Sequence, residues 1–246
     1  MLDTHAGAGR YDLAGAEASR SLEWREGIAR LLAAPVAAPA GALLAPYLDA
    51  VAGLNPPGRL TAYPGSPTLV LAFLRPQDRL IACELEPNAA AALARNLGRD
   101  RRSKALALDG WTALNAYVPP KERRGLVLID PPFEDEGDFS RLAQGVEAAH
   151  RKWPGGSYLL WYPIKERAGP DALARRLRRA GIAKILRAEI RIAASPGSNR
   201  LGACGLIVVN PPWTLESELD VLLPALQTIL AGKGGSHRVD WLAGES

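Results

Sequence analysis

The sequence predicts an open, doubly wound α/β fold whose mostly parallel sheet ends in an antiparallel strand. Three observations predict it. Short apolar runs alternate with helical stretches along much of the chain. The first three runs, Leu80–Cys83, Ala105–Leu108 and Leu126–Ile129, show no polar alternation, as expected of strands covered on both faces. The last two, Ile185–Ile192 and Leu206–Val209, are joined only by Ala193 to Gly205, a Gly-, Ser-, Pro- and Asn-rich loop with no room for a crossover helix. Parallel neighbours need such a crossover, so this pair is expected to be antiparallel.

Taken in order, the chain opens on Met1-Leu2 and the loop Asp3-Thr4-His5-Ala6-Gly7-Ala8-Gly9. That loop reads as the turn after a first strand. A strand of two residues is short for the centre of a sheet, so a further N-terminal segment is expected before residue 1. Helices are expected near Glu17–Ala33 and Ala42–Ala52, followed by the Asn55-Pro56-Pro57-Gly58 break. We read 12–62 as a helical insert within a single domain spanning 1–246. Ser66-Pro67 then starts the helix that returns to the sheet, with Ser66 as N-cap and Pro67 in the first turn. Further helices are predicted over Pro87–Leu97, Phe139–Lys152 and Asp171–Ala180, the last with Leu173 and Leu177 on one face and arginines on the other. Tyr158–Trp161 supplies the strand between the last two. A parallel sheet ending in an antiparallel strand is the arrangement of the class I, Rossmann-like methyltransferase fold. A sheet parallel throughout would suit a dinucleotide dehydrogenase instead.

The 246 residues are 48% hydrophobic and 23% charged, an ordinary soluble composition, with a net charge of +4. That charge permits a polyanionic partner without requiring one. The basic residues cluster at Arg99, Arg101, Arg102 and Lys104, at Lys121, Arg123 and Arg124, and at Arg175, Arg176, Arg178 and Arg179. Each cluster is either a nucleic-acid contact or a solvated helix face. Cys83 and Cys204 lie in apolar runs without a CxxC or His partner, which argues for reduced thiols and against a metal site. No apolar run approaches membrane-spanning length and the start has no signal-peptide pattern, so a cytoplasmic enzyme is expected.

The chemistry concentrates at strand ends. Gly7 and Gly9 allow a bound cofactor close to the backbone. The third glycine position of the dinucleotide fingerprint holds Asp12, and no Gly-Lys-Ser/Thr of a P-loop follows. Asp3 is placed to accept from a cofactor ammonium group. Glu84 ends the second strand, where this fold binds ribose hydroxyls, and is preferred over Glu86; the other reading is a solvated loop acid. Asp109-Gly110 ends the third, where Asp109 would accept from an adenine amine and Gly110 leave room for the ring; the other reading is an Asx turn.

Asp130-Pro131-Pro132-Phe133 is the sharpest signal, matching the D/N-P-P-Y/F/W pattern of amino methyltransferases. An aromatic amine is a poor nucleophile because its lone pair is delocalised. Accepting its two N–H groups with the Asp130 carboxylate and the Pro131 carbonyl favours a pyramidal nitrogen, and the prolines hold that carbonyl rigid. Phe133 would stack on the splayed base. The methyl donor implied is S-adenosylmethionine, and no metal or covalent nucleophile is required. Asn210-Pro211-Pro212-Trp213 fits the same pattern but follows the antiparallel strand, on the opposite sheet edge, and is read as structural. Trp161 and Tyr162 end the strand beside Asp130 and are candidates for the base pocket, with Lys165 meeting phosphate; core packing is the other reading. Ser66 and His5 are further cofactor candidates, whereas His150 and His237 look incidental.

Together these segments resemble the bacterial 23S rRNA adenine-N6 methyltransferase J family over essentially the whole chain. The resemblance rests on Asp3 to Tyr11, Tyr63-Pro64-Gly65-Ser66-Pro67, Glu84 to Pro87, Asp109-Gly110, Arg123 to Pro132, Leu160 to Pro163 and Val209 to Trp213. It implies S-adenosylmethionine contacts at His5, Ser66, Glu84, Asp109, Gly110 and Asp130, with Asp130 also acting on the target amine. It also implies 23S rRNA as partner, the family's adenine 2030 as target, and a helical insert. A monomer without metal is expected. Phe133 stands where the family usually has Tyr. The resemblance also implies a segment with a His-rich motif before the first strand, expected ahead of residue 1. An adenine methyltransferase of DNA or other RNA, or a non-catalytic RNA-binding or assembly protein, are the alternative readings.

Overall fold

The predicted runs assemble into one eight-stranded sheet in the computed structural model, which describes residues 1–15, 23–135, 137–192, 201–231 and 234–244. Strand β1 (Leu2–Asp3) is followed by β2 (Arg10–Asp12), helices α1 (Glu23–Glu26), α2 (Ile28–Ala33) and α3 (Ala40–Ala52), and β3 (Ala62–Pro64). Helix α4 (Ser66–Phe73), β4 (Leu80–Glu84), α5 (Pro87–Leu97), β5 (Ser103–Ala107), α6 (Gly110–Tyr117) and β6 (Leu126–Ile129) come next. Then come α7 (Asp138–Lys152), β7 (Ser157–Pro163), α8 (Ala168–Arg179), β8 (Ile185–Arg191), β9 (Ala203–Val209), α9 (Leu215–Ala231) and β10 (Ser236–Ala243).

The sheet order is β10-β8-β9-β7-β6-β1-β4-β5, and β5, β4, β1, β6 and β7 pair parallel in turn. Two-residue β1 does sit centrally: Leu2 pairs with Ile81 on one side and Val127 on the other. The expected antiparallel pairing of β8 with β9 is present. Strand β9 lies inside, also antiparallel to β7, and the edge is formed by β10, a strand the sequence did not announce. Residues 193–200, most of the loop before β9, lie outside the described residues, as does the expected start of the first helix at Glu17.

Local chemistry accounts for the boundaries. Helix α5 starts at Pro87 because the Glu86 carboxylate accepts from the Asn88 and Ala89 amides, and it stops at Gly98, whose φ is +60°. Helices α7 and α8 bury Leu142, Val146, Leu173 and Leu177 against Tyr158, Leu160 and Ile207 of the sheet. Ser66 does not N-cap α4: Gly65 holds the cap position, no side chain caps the helix, and the Ser66 hydroxyl is turned to Asp3. Strands β2 and β3 pair antiparallel, so Asp12 stands opposite Ala62, and helices α1–α3 lie between these two positions. Those helices bury a small cluster of Ile28, Leu31, Leu44 and Val51, against which Leu222, Leu226 and Ile229 of α9 pack. Buried Arg187 on β8 makes a two-pronged pair with Asp240 of β10, at 2.8 Å for each bond, which ties the edge strand down.

The second Asn-Pro-Pro segment is structural. Val209 stands opposite Tyr158, at the start of β7, so Asn210 is on the far sheet edge from Asp130. Its side-chain amide donates to the carbonyls of Pro154 (2.7 Å) and Gly156 (2.8 Å) and anchors the turn into β7. Both cysteines are free thiols. Among the described residues, no helix is long and apolar enough to cross a membrane.

Candidate active site

Register alone gathers four carboxylates. Asp3 pairs with Ala82 and Leu128, and Glu84 with Ala107, so Asp3, Glu84, Asp109 and Asp130 all stand at the carboxyl ends of parallel strands. Ligands bind at that edge in open α/β sheets. A cavity of about 900 Å³ opens there, and His5, Gly7, Ser66, Glu84, Asp109, Gly110, Asp130 and Pro131 line it.

Asp3 lies fully buried beneath the cavity, behind the residues that line it. Its Oδ2 accepts from the Ser66 hydroxyl at 2.6 Å, while Oδ1 is buried without any hydrogen-bond partner. Burial, helped by the Glu84 charge and opposed by the Ser66 and His5 hydrogen bonds, pushes its pKa up to about 6. An orphaned carboxylate oxygen is costly, and a bound ammonium would satisfy it. Gly9 does not reach the cavity wall; its carbonyl takes the Gly65 amide at 2.8 Å and fastens the first loop to α4.

His5 is half-buried. The Thr4 hydroxyl donates to the Leu128 carbonyl at 3.0 Å, so it accepts from His5 Nδ1 at 2.8 Å. That leaves Nε2 as the acceptor of a neutral ring. Burial drives the His5 pKa down to about 4 against the pull of Asp109 and Glu84. Glu84 closes the glycine loop: its carboxylate accepts from the amides of Gly7 (2.8 Å), Leu85 (2.8 Å) and Glu86 (2.9 Å). Glu86 lines the cavity too, but its carboxylate caps α5.

Asp109 divides its oxygens. Oδ2 caps α6 through the Thr112 amide (2.8 Å) and hydroxyl (2.9 Å), while Oδ1 lies 3.9 Å from the Arg141 guanidinium. The turn-forming reading of Asp109 is met by Oδ2, while Oδ1 is left toward Arg141. Gly110 is required by packing: a Cβ there would sit 2.2 Å from the Thr4 carbonyl oxygen and 2.7 Å from the His5 ring. Asp130 is exposed at the cavity, although protein atoms surround much of its carboxyl group. Desolvation first, and then the Asp3 charge, push its pKa up to about 7.

Phe133 adopts a left-handed backbone, with φ +53°, directly after the two prolines. Its ring packs on Phe139 (4.9 Å between centroids) and Trp161 (6.1 Å) and does not line the cavity. The Tyr162 expectation needs correction. That ring is fully buried on the other face of β7, where its hydroxyl donates to Glu189 at 2.9 Å, so it forms no wall of a base pocket. Lys165 is exposed beyond the end of β7 and also stands off the cavity.

Trp111 and Arg141 are cavity residues that sequence reasoning passed over. The Arg141 guanidinium lies 5.0 Å over the Trp111 ring, whose edge meets His5 at 5.3 Å. The Trp following Asp109-Gly110 was a usable signal; nothing in the local sequence marks Arg141. Seven carboxylates line the cavity, and among the described residues Arg141 is the one guanidinium facing them. Such a field favours a cationic ligand.

Buried Asp3 makes a pH prediction. A buried carboxyl moved from 3.8 to about 6 corresponds to about 3 kcal/mol. Because the folded-state value is the higher one, the folded chain holds the proton longer than the unfolded chain. Stability is therefore full below about pH 4 as far as Asp3 is concerned, and is lost as pH rises through about 6. Asp3→Asn is expected to flatten this part of the pH–stability curve, checked by thermal denaturation from pH 4 to 8; an unchanged slope would acquit Asp3.

Comparison with known proteins supplies the family. A family model described as "Ribosomal RNA large subunit methyltransferase D, RlmJ" matches residues 1–243. The chain is 40% identical to ribosomal RNA large subunit methyltransferase J of Escherichia coli K12 over 99% of its own length and 86% of the relative. It is 37% identical to the protein of the same name from Haemophilus influenzae, with the same coverage of each chain. A crystal structure of a Legionella pneumophila protein superposes with a TM-score of 0.87 at 31% identity, covering 97% of this chain and 86% of that one. With that match, the fold and the carboxylate-edged cavity find their family: the chain belongs to the RlmJ ribosomal RNA large subunit methyltransferases.

Proposed function

We propose that this protein transfers a methyl group from S-adenosylmethionine to the exocyclic N6 amine of an adenine in 23S ribosomal RNA, with the family's adenine 2030 as the position to test. The observation that carries it is Asp130-Pro131-Pro132 on an acidic cavity, with Asp3, whose Oδ1 has no partner, buried behind the residues that line it.

The residues present fit the cofactor. Asp3 Oδ1 would accept from its ammonium group, Glu84 from its ribose hydroxyls and Asp109 Oδ1 from its adenine amine. When bound it supplies a methyl on a sulfonium, a strong electrophile. The carboxylates around it also make a pocket that favours a cation over the neutral thioether product.

Asp130 acts on the target. Its carboxylate and the Pro131 carbonyl accept the two amine N–H groups, which localises the nitrogen lone pair for in-line attack. The C–N bond forms as the methyl–sulfur bond breaks, the bonding pair staying on sulfur. The extra proton leaves from nitrogen, and a carboxylate with a pKa near 7 is matched to take it up at neutral pH. Neutral His5 adds no positive charge to that of the Arg141 guanidinium already beside Asp109.

Incubating the protein with labelled S-adenosylmethionine and protein-free 23S rRNA, other RNA or DNA, then digesting to nucleosides, tests this. The expected product is N6-methyladenosine from the 23S rRNA alone. A label on DNA adenine would transfer the chemistry to another polymer, and no label on any adenine would remove it.

A further inference from the structure

The reading above poses an electrostatic problem, and this inference rests on it: the cavity is acidic and its exposed rim carries Glu134 and Asp135, whereas the proposed substrate is a polyanion. The phosphates need a separate landing.

Helices α7 and α8 follow consecutive parallel strands and run side by side, locked by a two-pronged bond from Arg176 to Glu147 at 2.7 and 2.9 Å. Their exposed charged positions are all cationic: Arg141, Arg151 and Lys152 on α7, and Arg175, Arg178 and Arg179 on α8. The acids of the two helices are already engaged. Glu147 holds Arg176, Asp171 pairs with Arg167 at 2.7 Å, and Asp138 is buried against the Asp135 amide. Arg151, Arg175, Arg178 and Arg179 have no carboxylate partner among the described residues. A shallow groove of about 280 Å³ between the helices has Arg151, Arg176 and Arg179 on its walls with Glu147 as its acid. This face is continuous with the active site, because Arg141 on the first turn of α7 also lines the catalytic cavity. Ten residues of helix, about 15 Å, separate Arg141 from Arg151.

We propose that the α7–α8 face is the docking surface for the RNA backbone. Phosphates sit on Arg151, Arg175, Arg178 and Arg179, and Arg141 takes the strand to the cavity mouth, where the uncharged base enters and the acidic rim turns phosphates away. Guanidinium groups suit this task through their forked donors. Of the sequence's three basic clusters, this is the one joined to the active site.

The test compares three forms of the whole protein for binding protein-free 23S rRNA fragments across a salt series: wild type, Arg175→Ala/Arg178→Ala/Arg179→Ala, and a control triple on another face, Arg99→Ala/Arg101→Ala/Lys104→Ala. The α8 triple is expected to bind RNA at least tenfold more weakly at physiological salt. Its salt slope should be shallower by about 2, since each lost phosphate contact removes about 0.7 to 0.9. The control should bind like wild type. Affinity for S-adenosylmethionine should be unchanged in all three, and a triple Arg→Lys version on α8 should recover most of the binding, which separates charge from folding. Wild-type RNA affinity in the α8 triple, or equal losses in both triples, would overturn the proposal. Failure of the wild type to methylate any RNA would instead sink the activity, while the binding series still reads the docking surface.

Discussion

Replacing Asp130 by Ala is expected to slow N6 methyl transfer about a thousandfold, the range found when one preorganised polar partner of a transition state is removed. The residue stands where the parallel strand β6 ends on the cavity, and Asp3, buried beneath it, has one oxygen committed to Ser66. Asp130→Asn discriminates further. An amide keeps one carbonyl acceptor for the amine but cannot titrate, so partial activity is expected with a flat pH profile. In the wild type, kcat/KM should rise with pH through about 7 as the free enzyme's Asp130 ionises. In kcat, measured with bound sulfonium, the limb should lie at lower pH, because a nearby positive charge favours the carboxylate. The folded-state pKa is above the ordinary carboxyl value, so ionised Asp130 weakens the fold above pH 7 and Asp130→Asn should raise Tm there. Steady-state kinetics from pH 5 to 9 with paired melting curves check all three statements. Undiminished turnover by Asp130→Ala would end the proposed chemistry.

Gly110→Ala is expected to lower stability by about 3 kcal/mol and cofactor affinity more than tenfold. The added methyl would lie 2.2 Å from the Thr4 carbonyl oxygen, which is backbone in the centre of the sheet. It cannot step aside cheaply. The Thr4 amide and hydroxyl are both bonded to the Leu128 carbonyl, at 3.1 and 3.0 Å, and β1 is clamped between β4 and β6. The same methyl meets the His5 ring at 2.7 Å, so relief would tilt α6 or displace His5, and either deforms the cavity floor. Gly145→Ala offers the comparison: its methyl would meet the Trp111 side chain at 2.9 Å, a neighbour better able to give. Melting curves and calorimetry with S-adenosylmethionine on both variants decide the point. Wild-type affinity in Gly110→Ala would show that the β1–α6 contact is not tight.

Much of this was legible in the residues because each signal was local. Uninterrupted apolar runs marked the buried parallel strands, Pro87 and Gly98 bounded α5, and acids at strand ends marked one sheet edge. What escaped was settled at a distance. Strand β10 has no long apolar run, since half of its residues stay exposed and the Arg187–Asp240 pair holds it. Helix α9 is interrupted by Pro224 and buries only Leu223 fully, so its pattern shows only once α2 and α3 pack on it. Tyr162 looked like a pocket residue next to Trp161, but neighbours in a strand face opposite ways, and only the sheet's layers say which side is core. Ser66 looked like a helix cap and is a partner of Asp3, sixty-three positions away.

The sequence by itself determined the class of fold, the acids on its binding edge and the Asp-Pro-Pro rim, because strand order and strand ends follow from short-range patterns. The tertiary structure alone decided the upward pKa shifts of Asp3 and Asp130, the necessity of Gly110, the place of Arg141 and the buried side of Tyr162. Those depend on desolvation and contact between segments far apart in the chain, and neither quantity exists until the sheet has closed around them.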